Sequence, residues 1–228
     1  MGSDSGIPRF FVLQSQRYTP YDTEFSTVED EERTDAPRCP RCNGFVGMLI
    51  WRPPYRVKLG LHGEEPGDFI QSNGTGPDII VSERFANAFR GAGLTGLHGF
   101  GPVEVLRVQR QRGSPKRKSF TLQSYFAVTV PFGSALVDEA RSHILRSGPF
   151  DCDYCHAIGT DGVNGFTLES GSWNGDDVFY PRGLVGTLVV SERFARLVTE
   201  HGLTNMDLIP TERYVWDPLR RFTQPTGA

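Results

Sequence analysis

Apolar residues along the chain fall in short runs broken by Gly, Pro and charged positions, a pattern that predicts many short strands and few helices. Phe10-Phe11-Val12-Leu13 predicts a first strand, and Phe45 to Trp51 a second that Arg52-Pro53-Pro54 stops. Residues 60 to 78, rich in Gly and Pro, read as loop, and Ile79-Ile80-Val81 as a third strand. Val103 to Val108 and Ser119 to Val130 predict the two strands of a long hairpin. Between Ser134 and Leu145, Leu136, Ala140, Ile144 and Leu145 recur at helical spacing and predict a bridging helix.

Two helices carry clearer punctuation. Ser82 follows the third strand as an N-cap, because its hydroxyl can accept from an orphan amide of the first turn. Phe85 and Phe89 then share one face, and Gly93 stands where a left-handed C-cap belongs, with Leu94 folding back onto the last turn. The same grammar returns later: Leu188-Val189-Val190 as strand, Ser191 as cap, Phe194 and Val198 as the buried pair, Gly202-Leu203 as the stop.

This recurrence is literal. Val-Ser-Glu-Arg-Phe-Ala stands at Val81 to Ala86 and again at Val190 to Ala195, and both copies run on to Gly-Leu-Thr, at Gly93 to Thr95 and Gly202 to Thr204. Each element is displaced by 109 residues, the mark of an internal duplication. The expected fold class is α+β, two duplicated halves of short strands with a few helices. The first half spans 1–130, the bridging helix 131–150 and the second half 151–228.

All four cysteines lie in two Cys-x-x-Cys pairs, Cys39-Pro40-Arg41-Cys42 and Cys152-Asp153-Tyr154-Cys155. One knuckle turns two thiolates to the same side, and two knuckles supply the four soft ligands of a closed tetrahedral zinc site. Local zinc ribbons separate their pairs by roughly 15 to 20 residues. Here the pairs are far apart, so an ion shared by Cys39, Cys42, Cys152 and Cys155 would clamp the two halves and add to folding stability. Four thiolates leave no open position for water, which argues against catalytic zinc. Redox chemistry needs a CxxC at a helix N-terminus, whereas Asn43-Gly44-Phe45-Val46 reads as turn and strand. Four free cysteines remain an alternative, and His156, directly after Cys155, is left out of the ligand set as an ordinary surface or core histidine.

The net charge of -3 argues against a dedicated nucleic-acid binder. No apolar run approaches the roughly 20 residues of a membrane span, and Met1 to Ser5 lacks the features of a signal peptide, which predicts a cytoplasmic address. No phosphate loop, HExxH or nucleophile elbow is present, and no enzyme activity is expected. Glu83-Arg84 and Glu192-Arg193, in the first turns of the two helices, read as structural. The hairpin tip, with Arg110, Arg112, Lys116, Arg117 and Lys118, lacks the interleaved aromatics of a base-stacking surface. Glu29 to Glu32 with Glu64, Glu65 and Asp68 form an acidic set that could steer a basic protein partner or be plain solvated loop.

The layout resembles the double-CxxCG motif family, a paralogous myxobacterial group that includes immunity proteins paired with polymorphic toxins. The likeness rests on Phe10-Phe11, Cys39-Pro40-Arg41-Cys42-Asn43-Gly44, Cys152 with Cys155, and Val189 to Phe194 running through Gly202-Leu203-Thr204 to a strand near Ile209. Where the family carries glycine after the second cysteine, this chain has Asn43 and His156. The resemblance implies a cytoplasmic immunity protein that binds a cognate toxin, with zinc as structural clamp. The alternative is a zinc-binding regulatory or nucleic-acid-binding module, and an oxidoreductase is the third reading.

Overall fold

The computed structural model describes residues 8–28, 32–73, 78–111 and 120–222. In chain order these form β1 (Phe10–Gln14), β2 (Thr23–Thr27), β3 (Tyr55–Leu61), β4 (Phe69–Gln71), β5 (Ile79–Ser82), α1 (Glu83–Gly91), β6 (His98–Arg110), β7 (Tyr125–Thr129) and β8 (Phe132–Leu136). Then follow β9 (Ile144–Arg146), β10 (Thr160–Asn164), β11 (Val178–Arg182), β12 (Val189–Ser191), α2 (Glu192–His201), β13 (Asp207–Pro210) and β14 (Val215–Trp216). The class is α+β, with most elements strands.

One sheet runs β2-β3-β6-β7-β5-β4, and its two edges meet through a parallel bridge between Phe25 and Ser72, so it curls closed. Its interior is filled by alternate residues, Val57 and Leu59 from β3 and Tyr125 and Ala127 from β7, together with Phe25, Ile70 and Ile80. Trp51 stacks on Phe25 at 6.0 Å and belongs to the same cluster. The second sheet runs β13-β1-β12-β11-β8 and is buried on both faces. Phe10, Val12, Phe179 and Val189 face one core, while Leu13, Val178 and Val190 face another, which also holds the phenylalanines of both helices. Strand β1 thus lies between β12 and β13, placing residues near the start of the chain inside a sheet built from residues 132–210. A small third sheet runs β14-β10-β9.

Both helices start and stop as the repeat predicts. Ser82 Oγ accepts from Phe85 N–H at 3.1 Å, and Ser191 Oγ from Phe194 N–H at 3.2 Å. Gly93 and Gly202 adopt φ of 60° and 55°, the left-handed conformation that ends a helix at little cost in glycine. Phe85 and Phe194 meet across the helix pair at 6.0 Å between centroids.

Two buried aspartates join the repeated units. Asp68, just before β4, accepts from Ser82 Oγ at 2.6 Å, from the guanidinium of Arg84, and from the N–H and hydroxyl of Thr204 at 2.8 and 2.9 Å. Asp177, just before β11, accepts from Ser191 Oγ at 2.6 Å, from Arg193 at 3.2 Å and from Thr95 N–H at 3.0 Å. Each arginine also reaches the C-terminal carbonyls of the opposite helix: Arg84 donates to His201 and Gly202, and Arg193 to Ala92 and Gly93. Arginine there complements the negative end of the opposing dipole as well as the aspartate. Aspartate, serine, arginine and threonine of one set all stand 109 residues from their counterparts. The two locks are reciprocal, because each unit supplies the aspartate and the other supplies the threonine.

Several expectations are corrected. Phe45 to Trp51 is not a regular strand: it runs against residues 32–39 with isolated bridges Phe45 to Arg38 and Trp51 to Arg33. Pro37 offers no N–H to that ladder, and Gly47 lies so close that a Cβ would sit 3.2 Å from the proline ring. Residues 60 to 78 are not all loop, since β3 ends at Leu61 and β4 lies at Phe69–Gln71. The predicted bridging helix is β8, a 3-10 turn at Glu139–Arg141 and β9. There Ala135 and Val137 alternate into the core, and Asp138 caps the turn by accepting from Arg141 N–H at 3.1 Å. The predicted hairpin is paired only from His98 to Val103; beyond that β6 pairs with β3, in parallel. Asp68 is 1% exposed and leaves the acidic surface set, whose Glu29, Asp30 and Glu31 lie outside the described residues. The hairpin tip from Arg112 to Lys118 also lies outside them, and Arg110 donates to the carbonyls of Gly63 and Glu64. Among the described residues, no helix is long and apolar enough to cross a membrane.

Burial opposes ionisation of Asp68, but the bonds from Arg84, Ser82 and Thr204 outweigh it and hold its carboxyl below the usual range. A depressed folded pKa contributes stability above the unfolded value, about 3.9, and that contribution is lost as pH falls through the folded value. Asp68→Asn is therefore expected to cost about 2–3 kcal/mol at neutral pH by denaturant unfolding, and to flatten the loss of stability below about pH 4. Glu83→Ala, on an exposed face, should change stability by less than about 0.5 kcal/mol.

Candidate metal centre

The first CxxC sits at the tip of an irregular two-stranded arm. Arg52 N–H bonds Glu32 O, Thr34 N–H bonds Ile50 O, Val46 N–H bonds Pro37 O, and Cys39 N–H bonds Gly44 O, so the arm narrows stepwise to the knuckle. Its base is fixed by Arg33, which pairs with buried Asp78 through both guanidinium nitrogens at 3.1 and 2.6 Å. The second CxxC is held against β11. Gly183 N–H donates to Cys155 O at 3.0 Å, and Arg182 donates to Tyr154 O at 3.1 Å while its guanidinium lies 4.7 Å from the Tyr154 ring. Arg182 also donates to Ser134 O at 2.7 Å, tying the knuckle to β8.

The two knuckles share one turn geometry. Asn43 N–H bonds Cys39 O at 3.0 Å, and His156 N–H bonds Cys152 O at 3.2 Å. Asn43 and His156 then carry φ of 61° and 49°, the left-handed region that L residues other than Asn seldom adopt. Backbone amides point at the sulfurs: Arg41 N–H at Cys39 Sγ and Gly44 N–H at Cys42 Sγ, each at 3.4 Å, with Tyr154 and Ala157 playing the same parts in the second knuckle. Such donors favour thiolate over thiol.

All four sulfurs converge. Cys39 Sγ lies 4.0 Å from Cys152 Sγ, Cys42 Sγ lies 3.7 Å from Cys155 Sγ, and all four lie within 4.8 Å of one another. Zinc–sulfur bonds of about 2.3 Å in a tetrahedron place sulfurs about 3.8 Å apart, so the residues fit a tetrahedral ion with small adjustment. The cysteines form no disulfide. Cys39 and Cys155 are buried, Cys152 is half-buried and Cys42 is exposed, with Val46, Phe132, Tyr154 and Ala157 forming an apolar surround. Neither CxxC opens a helix, the placement that a thioredoxin-like thiol requires.

His156 lies outside the sulfur group. Its ring stacks on Phe150 at 4.3 Å and its Nε2 lies 3.1 Å from Asp153 O, so the residue serves the turn. Sequence reasoning missed Arg182 and Gly183 as supports of the second knuckle, because nothing in the local pattern links them to cysteines some thirty residues earlier. It also left Asp68 and Asp177 unpaired with the repeat, although their shared offset was available as a signal.

Electrostatics splits the set. Burial raises Cys155 to about 12. For Cys39 burial also pulls upward but is outweighed by the amides of Cys42 and Arg41, which bring it to about 7. Amides of Cys155 and Tyr154 lower Cys152. The Gly44 amide favours the Cys42 thiolate, yet desolvation and the sulfurs of Cys39 and Cys152 leave Cys42 raised. Burial thus favours the thiol form at Cys155, and a metal taking that sulfur as thiolate would displace a proton.

No protein-family model matches the chain, and no curated protein matches it.

Cobalt(II) titration is expected to saturate at about one ion per chain with sulfur-to-metal charge-transfer absorption, and Cys155→Ser should abolish the band. Because binding displaces protons, apparent affinity should fall as pH is lowered from 8 to about 5. An affinity independent of pH would mean that the thiols are not the ligands.

Proposed function

We propose that this protein is a non-catalytic binding protein of the cytoplasm, clamped by a structural zinc ion, that neutralises a toxin delivered from a neighbouring cell. The observation that carries the reading is the convergence of four sulfurs from CxxC pairs 113 residues apart. Four thiolates close the coordination sphere, so the ion supplies folding energy and no site for substrate or activated water. Cys39, Cys42, Cys152 and Cys155 hold it, and thiolate softness with tetrahedral spacing favours zinc among abundant divalent ions.

The likeness to the double-CxxCG family supplies the immunity role. Its glycine after the second cysteine corresponds to Asn43 and His156, and the positive φ at both positions gives that glycine a physical reason. The reciprocal aspartate locks support the reading of two duplicated halves joined by the zinc site.

A recognition surface is available on the arm that carries the first knuckle. Phe45, Met48 and Leu49 are 58%, 49% and 48% exposed, and the Arg38 guanidinium lies 4.1 Å from the Phe45 ring while donating to Asn43 O. Aromatic, methionine and arginine side chains are the ones enriched in protein interfaces. In this reading the metal makes the arm rigid and the arm meets the toxin.

Purified protein is expected to contain about one zinc per chain. Its loss in Cys39→Ser should lower the thermal midpoint by about 2–4 °C for each kcal/mol of metal-derived stability removed. Co-expression should rescue cells poisoned by the product of an adjacent toxin-like reading frame, and the two proteins should co-purify. Phe45→Ala should weaken that complex by at least about tenfold while keeping the zinc. A chain that carries zinc yet neither rescues nor co-purifies would refute the immunity role and leave the clamp standing.

A further inference from the structure

The four thiolates are unequally accessible, and this gives the clamp a chemistry beyond holding the fold. Cys39 and Cys155 are 2% and 1% exposed and Cys152 is half-buried, whereas Cys42 is open to solvent. Gly44 nearby carries no side chain, and a Cβ there would sit 3.3 Å from Cys42 Sγ. Cys155 Sγ of the other knuckle lies 3.7 Å from Cys42 Sγ.

We propose that Cys42 is a site of oxidation by peroxide, with Cys155 as its resolving partner, and that the resulting disulfide expels the metal while keeping the two knuckles joined. The proposal rests on the metal reading above. In the first step the Cys42 sulfur pair attacks one oxygen of hydrogen peroxide, the O–O bond breaks, and hydroxide leaves; the sulfur becomes a sulfenic acid. In the second, the Cys155 thiolate attacks that sulfur, the S–O bond breaks and a second hydroxide leaves. Two electrons pass from the two sulfurs to peroxide, and the hydroxides are neutralised by buffer protons.

Forming the bond requires the sulfurs to close from 3.7 Å to about 2.05 Å. Cys39 and Cys152 alone cannot complete a tetrahedral shell, so the ion departs. The product differs from that of a redox CxxC, which would close each pair on itself. A bond between Cys42 and Cys155 replaces a metal cross-link by a covalent one between the same two elements, so the oxidised chain remains tied where a chelated chain is not.

The test treats zinc-loaded protein with stepwise hydrogen peroxide, reads released zinc with 4-(2-pyridylazo)resorcinol, and maps disulfides in non-reduced peptides. A brief iodoacetamide footprint on untreated protein provides a second readout that needs no variant. The expected result is one zinc released per peroxide consumed, a Cys42–Cys155 peptide pair, Cys42 as the first residue alkylated, and a thermal midpoint above that of the chelated protein. Disulfides within Cys39–Cys42 or Cys152–Cys155, or first alkylation elsewhere, would overturn the assignment. Full zinc retention at several equivalents of peroxide would overturn the switch and leave the clamp intact. A chain that takes up no metal would overturn the clamp and the switch with it.

Discussion

Neither CxxC pair can complete a tetrahedral shell by itself, and this incompleteness is the constraint on which the architecture turns. Two thiolates satisfy half an ion, and the other two cysteines stand 113 residues away. The irregular arm that carries Cys39 and Cys42 has few ladder bonds and little core of its own. It is held at its base by the Arg33–Asp78 pair and at its tip by the second knuckle. The second knuckle is in turn anchored by Arg182 and Gly183 to the sheet that contains β1 and β12. An ion at the sulfurs would therefore tie an otherwise weak arm to the body of the molecule.

The aspartate locks solve the same problem by different means. A carboxylate buried without partners would cost several kcal/mol, and one β-β-α unit supplies only its own serine and arginine. The opposite unit supplies the threonine amide and, in return, has the carbonyls at its helix end capped by the arginine. The arrangement favours the two units meeting in one orientation, because only that orientation satisfies both carboxylates together. The sulfurs and the locks lie at separate places, the sulfurs near β8 and β11 and the aspartates between the helices, so a metal would add to the locks at a distance.

Much of this was legible in the chain because it depended on local chemistry. Ser82, Ser191, Gly93 and Gly202 announce helix ends through short-range hydrogen bonds and backbone preference, and both helices lie where those residues put them. The four cysteines announce a metal by type and spacing, and the fold brings them together. What failed was governed by distant partners. Ala135 and Val137 alternate because β8 pairs with β11, a strand far along the chain, and that pairing overrode the helical spacing of Leu136, Ala140 and Ile144. Gly60 and Leu61 opened a segment read as loop for its glycines and prolines, yet β2 and β6 flank both residues. Asp68 read as surface charge because an acidic residue is usually exposed; its donors come from positions 82, 84 and 204.

A single ion bound by sulfur from both pairs at once has a distinct coordination signature. X-ray absorption at the zinc edge of the purified protein tests for it most directly. A shared ion gives a first shell of four sulfurs at about 2.3 Å with no nitrogen or oxygen contribution. A shell mixing sulfur with nitrogen or oxygen, as separate two-cysteine sites completed by histidine or water would produce, would contradict it.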